Sequence, residues 1–180
     1  MIDFSRPVRF RGKHAAYAQY LSKERMTKRE NGVNIFDRIM DAYLVSILVG
    51  LKFNKTAPVD ESDIDASEVF GDFPQYKGKK ISSSDINAET IHASQELLNY
   101  IYRIAMLNEQ KRNLSDEEKI ANAFKSDSNQ EKIDQNIELM NSYARGGLEV
   151  LYSRFEGLAG DENAIMAAQL ELSDELGGYE

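Results

Sequence analysis

Apolar residues recur along most of this chain at intervals of three and four, the spacing that gathers them on one side of an α-helix. The strongest stretch is Asn34–Pro58. Within it Phe36, Ile39, Met40, Tyr43, Leu44, Ile47 and Leu48 form one broad stripe, which Val45 and Val49 extend around the cylinder. The pattern predicts a helix from about Ile35 to Val49, capped by Asn34 and buried on most sides, inside a core or between subunits. Gly50 is placed to end that helix in the left-handed conformation, with Leu51 folding back onto the last turn around Val45.

Upstream the period changes. Arg6–Arg11 alternates, with Val8 and Phe10 on one side and Arg9 and Arg11 on the other, which predicts a short strand with a basic outer face. Lys13–Arg25 follows as a helix with Ala16, Tyr17, Tyr20 and Leu21 as its stripe, then a charged loop over Thr27–Asn34.

Pro58–Ser84 is irregular: an acidic run, Asp60–Asp65, then the aromatics Phe70, Phe73 and Tyr76, expected to pack partly onto the body. From Asp85, a candidate cap, a long helix is expected through Ile91, Leu97, Leu98, Ile101, Tyr102, Ile104 and Ala105. Ser115 and Glu118 form a capping box that opens a short helix with Ile120 and Phe124. Gln130–Glu156 repeats the helical pattern through Ile133, Ile137, Met140, Ala144, Leu148, Leu151 and Phe155. Gly146-Gly147 inside it implies a kink or the close approach of another backbone, since mid-helix glycine is unfavourable. Gly157 and Gly160 end it, and Asp161–Leu176 makes a last helix.

The expected fold is mainly α: a short N-terminal β-strand followed by a bundle of five or six helices. The chain reads as a single domain over 1–180, with a strand-helix-helix unit at 1–57, an irregular acidic and aromatic loop at 58–84 and a helical part at 85–180. The N-terminal order of elements is also that of a ribbon-helix-helix unit.

Charge refines this picture. The net charge is −8, but residues 1–30 carry eight Lys/Arg against three Asp/Glu, a net of +5, while the other 150 residues carry −13. An acidic body argues against broad DNA wrapping, because phosphate binding needs dense cationic neutralisation. A basic arm on it suits a small nucleic-acid contact or an acidic protein partner. The N-terminus lacks the apolar core of a secretory signal, and the longest apolar run, Ala42–Leu51, is too short to cross a bilayer, so a cytoplasmic location is expected.

Candidate chemistry is sparse. There is no cysteine, and the two histidines, His14 and His92, cannot form a multi-histidine metal site. His14 is read as a solvated first-turn residue and His92 as a surface or core histidine. The sequence contains no phosphate-binding loop, dinucleotide fingerprint, zinc-protease motif or serine-hydrolase elbow. The Asp60–Asp65 run lacks the spacing and the glycine of a calcium loop and reads as a solvated acidic loop. No enzyme activity, metal or cofactor is expected.

The binding candidates, for nucleic acid or a partner, are Arg6, Arg9, Arg11, Lys13, Lys28 and Arg29. Arg9 and Arg11 fit a paired ribbon in a DNA major groove. They fit better an edge strand kept soluble by arginines, since the acidic body and the long charged loop between the first two helices count against the DNA contact.

Two blocks carry a family resemblance. One is Lys13-His14-x-x-Tyr17 with Ile35-Phe36-Asp37 and Asp41-Ala42-Tyr43-Leu44 through Val49-Gly50-Leu51-Lys52-Phe53-Asn54-Lys55. The other is Tyr143-Ala144-Arg145-Gly146-Gly147-Leu148-Glu149-Val150-Leu151. Together they resemble the small accessory proteins encoded beside bacterial DNA phosphorothioation loci, the dnd system-associated protein 4 family. The resemblance runs from about Val8 to Phe155; Thr27–Val33 and Pro58–Ser84 depart from it. It implies no catalytic residues, and it implies a setting of defence against foreign DNA beside larger ATPase or nuclease proteins. A non-enzymatic accessory subunit acting by protein–protein contact is therefore expected, with a homodimer among its expected states and its surface formed by the arginine strand and the acidic C-terminal helices. The alternative is a dimeric ribbon-helix-helix-like DNA-binding regulator that uses Arg9 and Arg11.

Overall fold

The computed structural model describes residues 9–23, 32–61, 67–69, 86–125 and 129–177. Among them the order is β1 (Arg9–Arg11), α1 (Gly12–Leu21), α2 (Ile39–Lys52), β2 (Ser67–Val69), α3 (Ile86–Asn108), α4 (Asp116–Phe124), α5 (Gln130–Phe155) and α6 (Glu162–Gly177). The fold is mainly helical with a short N-terminal strand, and β1 pairs with β2 of the same chain. No helix among the described residues is long and apolar enough to cross a membrane.

The chain divides into two compact units, one of Met1–Arg9 with Val69–Asn141, the other of Phe10–Glu68 with Ser142–Glu180. In the first, α3 packs on α4 and contributes Leu98, Ile101, Tyr102, Ala105 and Met106 to a core that includes Ala123 and Met140. Leu97, Ile120 and Phe124, expected inside, are exposed there, and Arg103 lies over the Phe124 ring. The short α4 turns Asn122 and Ala123 inward instead. Its capping box forms as the sequence requires: Ser115 Oγ accepts from the Glu118 amide at 3.3 Å, and Glu118 Oε2 accepts from the Ser115 amide at 2.8 Å. A buried ionic knot closes the turn after α3. The fully buried Glu109 carboxylate accepts from the amides of Lys111 (2.9 Å) and Arg112 (3.2 Å) and from Arg112 Nε (3.1 Å). Arg112 Nη1 then donates to Asn136 Oδ1 at 2.6 Å.

The second unit is built on α2 and the Ser142–Phe155 part of α5. Its core holds Phe10, Ala15, Ala18, Leu21, Ile39, Tyr43, Ile47, Tyr143, Leu148, Leu151 and Phe155. Phe10 is 2% exposed and meets Tyr43 edge-on, while Arg11 faces solvent, so the described end of β1 alternates as expected. In α1 the buried stripe is Ala15, Ala18 and Leu21 rather than Ala16, Tyr17 and Tyr20, which are only partly covered. The helix begins at Gly12 and ends at Leu21, and His14 joins its buried side.

The α2 boundaries also differ from expectation. The helix starts at Ile39, not Ile35, because Arg38 is its N-cap: the Arg38 amide donates to Asp41 Oδ2 and the guanidinium clamps the same carboxylate. Asn34 adopts φ 54°, and the segment it begins pairs with the end of α1, the Phe36 amide donating to the Leu21 carbonyl and the Lys23 amide to the Phe36 carbonyl. Gly50 does not stop the helix. It lies within α2, and the left-handed residue is Asn54, φ 48°, beyond the Phe53 cap. Glycine is required at position 50 for another reason: a Cβ there would collide with the Tyr143 carbonyl of α5. Gly146 and Gly147 are the counterpart, with no break in α5, since Cβ atoms there would strike the Lys55 and Ser46 carbonyls. Of the two alternatives for this glycine pair, close backbone approach is the one observed.

Candidate functional site

The residues that the sequence marks as a Lys-His-x-x-Tyr block lie along one seam. At the start of α1 the chain needs a cap, and it comes from far away: Asp60 Oδ2 accepts from the Lys13 amide at 2.8 Å. Gly12 takes φ 53°, and the Asp60 side chain fills the space a Cβ would need. A carboxylate against first-turn amides is favoured both by the unpaired donors and by the helix dipole. The first residue of the acidic run thus has a structural role; residues 62–66 lie outside the described set. Among the described residues no cluster of His, Asp and Glu is arranged to hold a metal ion.

From that cap, α1 lays His14, Tyr17 and Tyr20 against Glu149, Tyr152 and Phe155 of α5, three residues apart on both helices. His14 Nε2 is 3.2 Å from Glu149 Oε1, and Lys13 Nζ is 2.8 Å from the same oxygen. Tyr17 stacks on Tyr152 with ring centroids 3.8 Å apart and planes 14° apart. Tyr20 meets Tyr152 edge-on, and its hydroxyl donates to the Phe155 carbonyl at 2.9 Å while accepting from the Gly157 amide at 3.1 Å. That hydroxyl shares the Phe155 carbonyl with the Leu158 amide and serves the Gly157 amide, so it ties down the turn that ends α5.

The electrostatics follow from burial. His14 is 1% exposed, and burial pushes its pKa below the ordinary 6.5 despite the opposing pull of Glu149; Lys13 and Arg145 add to the lowering. The imidazole is therefore neutral at pH 7, and with an ionised carboxylate beside Nε2 that nitrogen carries the proton and donates. His14 Nδ1 is left buried without a partner. Burial alone would raise Glu149, but its hydrogen bonds from Lys13 and His14 outweigh this and hold it below the usual carboxylate value. Lys13 is raised by the same contact.

His14 was expected in solvent on an N-terminal turn. It is buried because its side of α1 packs against α5, where Glu149 meets the imidazole. A general base has to reach its substrate, and this imidazole faces a carboxylate inside the protein. The geometry is that of a pin between two helices.

Of the other candidates, Arg11 is exposed at the end of β1, where it is also the N-cap position of α1. Arg9 belongs to β1, and its side chain lies outside the described set, as do Arg6, Lys28 and Arg29 altogether. Lys13 is half-exposed with its charge engaged by Glu149. The aromatics Phe70, Phe73 and Tyr76, the Asp85 cap and the His92 side chain also lie outside the described set.

Three roles escaped sequence reading: Glu149 as the carboxylate of the seam, Asp60 as a cap, and Arg145 as a buried donor to backbone. Arg145 is 6% exposed and donates from Nε to the Ala57 carbonyl at 2.8 Å, while the Ala57 amide donates to the Ser142 carbonyl at 3.0 Å. The available signal was the lone acid between Leu148 and Val150 and the lone cation between Ala144 and Gly146, both inside an otherwise apolar and small-residue run.

No family model, no curated protein and no solved structure matches this chain.

Proposed function

We propose that this protein is a non-enzymatic accessory subunit of a bacterial DNA-modification-linked or anti-phage defence system, acting through protein–protein contacts. The observation that supports this is the meeting of the two sequence blocks that resemble the dnd-associated accessory family. Lys13 and His14 of one block bond Glu149 of the other, 135 residues from His14. Gly50 of the first block receives the Tyr143 carbonyl of the second. Residues that define the resemblance thus act as one packing unit, with the histidine sealed away from substrates. What remains for function is surface: exposed Arg11 and the acidic outer side of α6. Partner binding through surfaces of this kind needs no catalytic group.

The test is affinity purification of the full chain, tagged at its native level in its own host. A larger ATPase or nuclease encoded in the same defence locus should be recovered with it in fixed ratio. Recovery of the chain alone, or turnover of nucleotide or nucleic acid by the purified chain, overturns the proposal. The DNA-binding regulator is separated by a gel shift with duplex DNA: binding that falls steeply with salt and disappears in the Arg9→Ala/Arg11→Ala variant would favour it.

A further inference from the structure

The outer face of α6 brings exposed apolar side chains and acidic side chains together. Met166 and Leu170, one turn apart, are 61% and 62% exposed, and Ala167 beside them is exposed as well. The charged residues of α6 around this strip are all acidic. Glu162 precedes Met166 by one turn, Asp174 follows Leu170 by one turn, and Glu171 follows Ala167 by one turn. The helix contains no Lys or Arg, and Arg154 of α5 is spent on Glu175.

Beside the strip, past Gln169 and Ser173, opens a cleft of about 370 Å³ walled by Ile35, Phe36, Val45, Leu172 and Leu176. It is within the size range of pockets that hold a buried side chain or a small ligand. An apolar strip, an adjoining apolar cleft and an acidic rim are the complement of an amphipathic helix with a basic polar face.

We infer that the α6 face with its neighbouring cleft is the docking site for a basic amphipathic helix of the partner, one large apolar side chain entering the cleft while Lys/Arg flanks meet Glu162, Glu171 and Asp174. The inference rests on the accessory-subunit function and specifies its contact. A second copy of the chain fits worse, since two such faces would oppose like charges; an anionic lipid surface is repelled for the same reason.

The experiment uses the full chain and a fluorescent synthetic helical peptide with Leu and Phe at i, i+4 and i+7 and Lys on its polar face, followed by anisotropy. A peptide with the same apolar face and Glu in place of Lys is the control. The Lys peptide should bind, more weakly as salt rises, and the Glu peptide should not. Met166→Asp/Leu170→Asp, at exposed positions whose change leaves the circular dichroism spectrum intact, should weaken peptide binding at least about tenfold. It should also abolish recovery of the partner. Equal binding of both peptides, no binding of either, or binding undiminished in the variant overturns the inference. So does self-association of the wild type that Leu170→Asp abolishes, which would assign the face to a second copy. Partner recovery equal in wild type and variant overturns the site while leaving the accessory function standing. Peptide binding as described but with no partner recovered from the host sinks the accessory function and leaves the face a peptide-binding site.

Discussion

Gly50 of α2 and Gly147 of α5 touch through their backbones: a Cβ on Gly147 would lie 2.6 Å from the Gly50 nitrogen and would strike the Ser46 carbonyl, while one on Gly50 would strike that of Tyr143. The two helices therefore pack at a distance only glycine permits, close enough for Cα–H groups to face carbonyl oxygens across the crossing. Gly147→Ala gains helix propensity, worth roughly 1 kcal/mol, but must push backbone away from backbone. Overpacking of this kind costs about 1–3 kcal/mol, and with no flexible side chain to yield, a net loss is expected. A denaturant titration should show a lower midpoint; an unchanged or higher one would mean that the helices part without cost.

The Glu109–Arg112–Asn136 knot predicts a second effect. Arg112→Met retains the stem but removes the cation from a carboxylate with no solvent exposure. Glu109 would keep its two amide donors and lose its counter-charge, which should destabilise the chain by roughly 2–4 kcal/mol, towards the range for breaking a buried pair. Arg112→Met together with Glu109→Gln should recover much of that loss, as read from thermal unfolding.

Ser115→Ala removes the side-chain acceptor for the Glu118 amide and with it half of the capping box at the start of α4. The expected cost is about 0.5–2 kcal/mol, felt locally. Hydrogen exchange should accelerate at the first amides of α4 and remain as it was in α6.

How far the sequence reveals this fold can be judged from those same residues. Ser115 and Glu118 are legible because a capping box is a local device: both partners lie within one turn. The buried positions Leu98, Ile101, Tyr102 and Ala105 of α3 and Met140, Ala144, Leu148, Leu151 and Phe155 of α5 are legible for the same reason, since the period of three and four is a property of neighbouring positions; Leu97 is exposed, and the Ile91 side chain lies outside the described set. Gly50 misleads because a glycine after an apolar run has two physical uses, a left-handed stop and a close approach, and only the position of α5 decides between them. His14 misleads likewise. Beside Lys13 at a helix start it resembles a solvated residue, and what buries it is Glu149, 135 positions away. Arg9 and Arg11 stand out by alternation, yet alternation reports which side faces outward and is silent on what meets it.

Acid should weaken the protein in two steps. The folded pKa of His14 lies below its ordinary 6.5, so between those values the unfolded chain binds a proton that the folded chain refuses. Stability is then complete above pH 6.5 and declines as pH falls below it. Glu149 is held below its ordinary 4.5 by Lys13 and His14 against the effect of burial, so its contribution is present above that value and is lost on further acidification. Both act in the same direction. His14→Gln can still donate to Glu149 and cannot titrate, so it should remove the decline that begins near pH 6.5 and retain the one below pH 4.5. Unfolding midpoints from pH 8 down to well below pH 4.5 would check this; a variant with the wild-type profile would place the first step elsewhere.

The central claim is that the seam of Lys13, His14 and Glu149 holds the fold, while function lies on the outer surface. The full chain carrying Glu149→Gln tests it most directly, when its unfolding midpoint and its recovery of the partner are measured together at a temperature where it remains folded. An amide oxygen can still accept from His14 but gives up the ion pair with Lys13, so stability should fall by about 1–2 kcal/mol while partner recovery stays at the wild-type level. Unchanged stability with partner recovery abolished would contradict the claim and make the seam itself the working site.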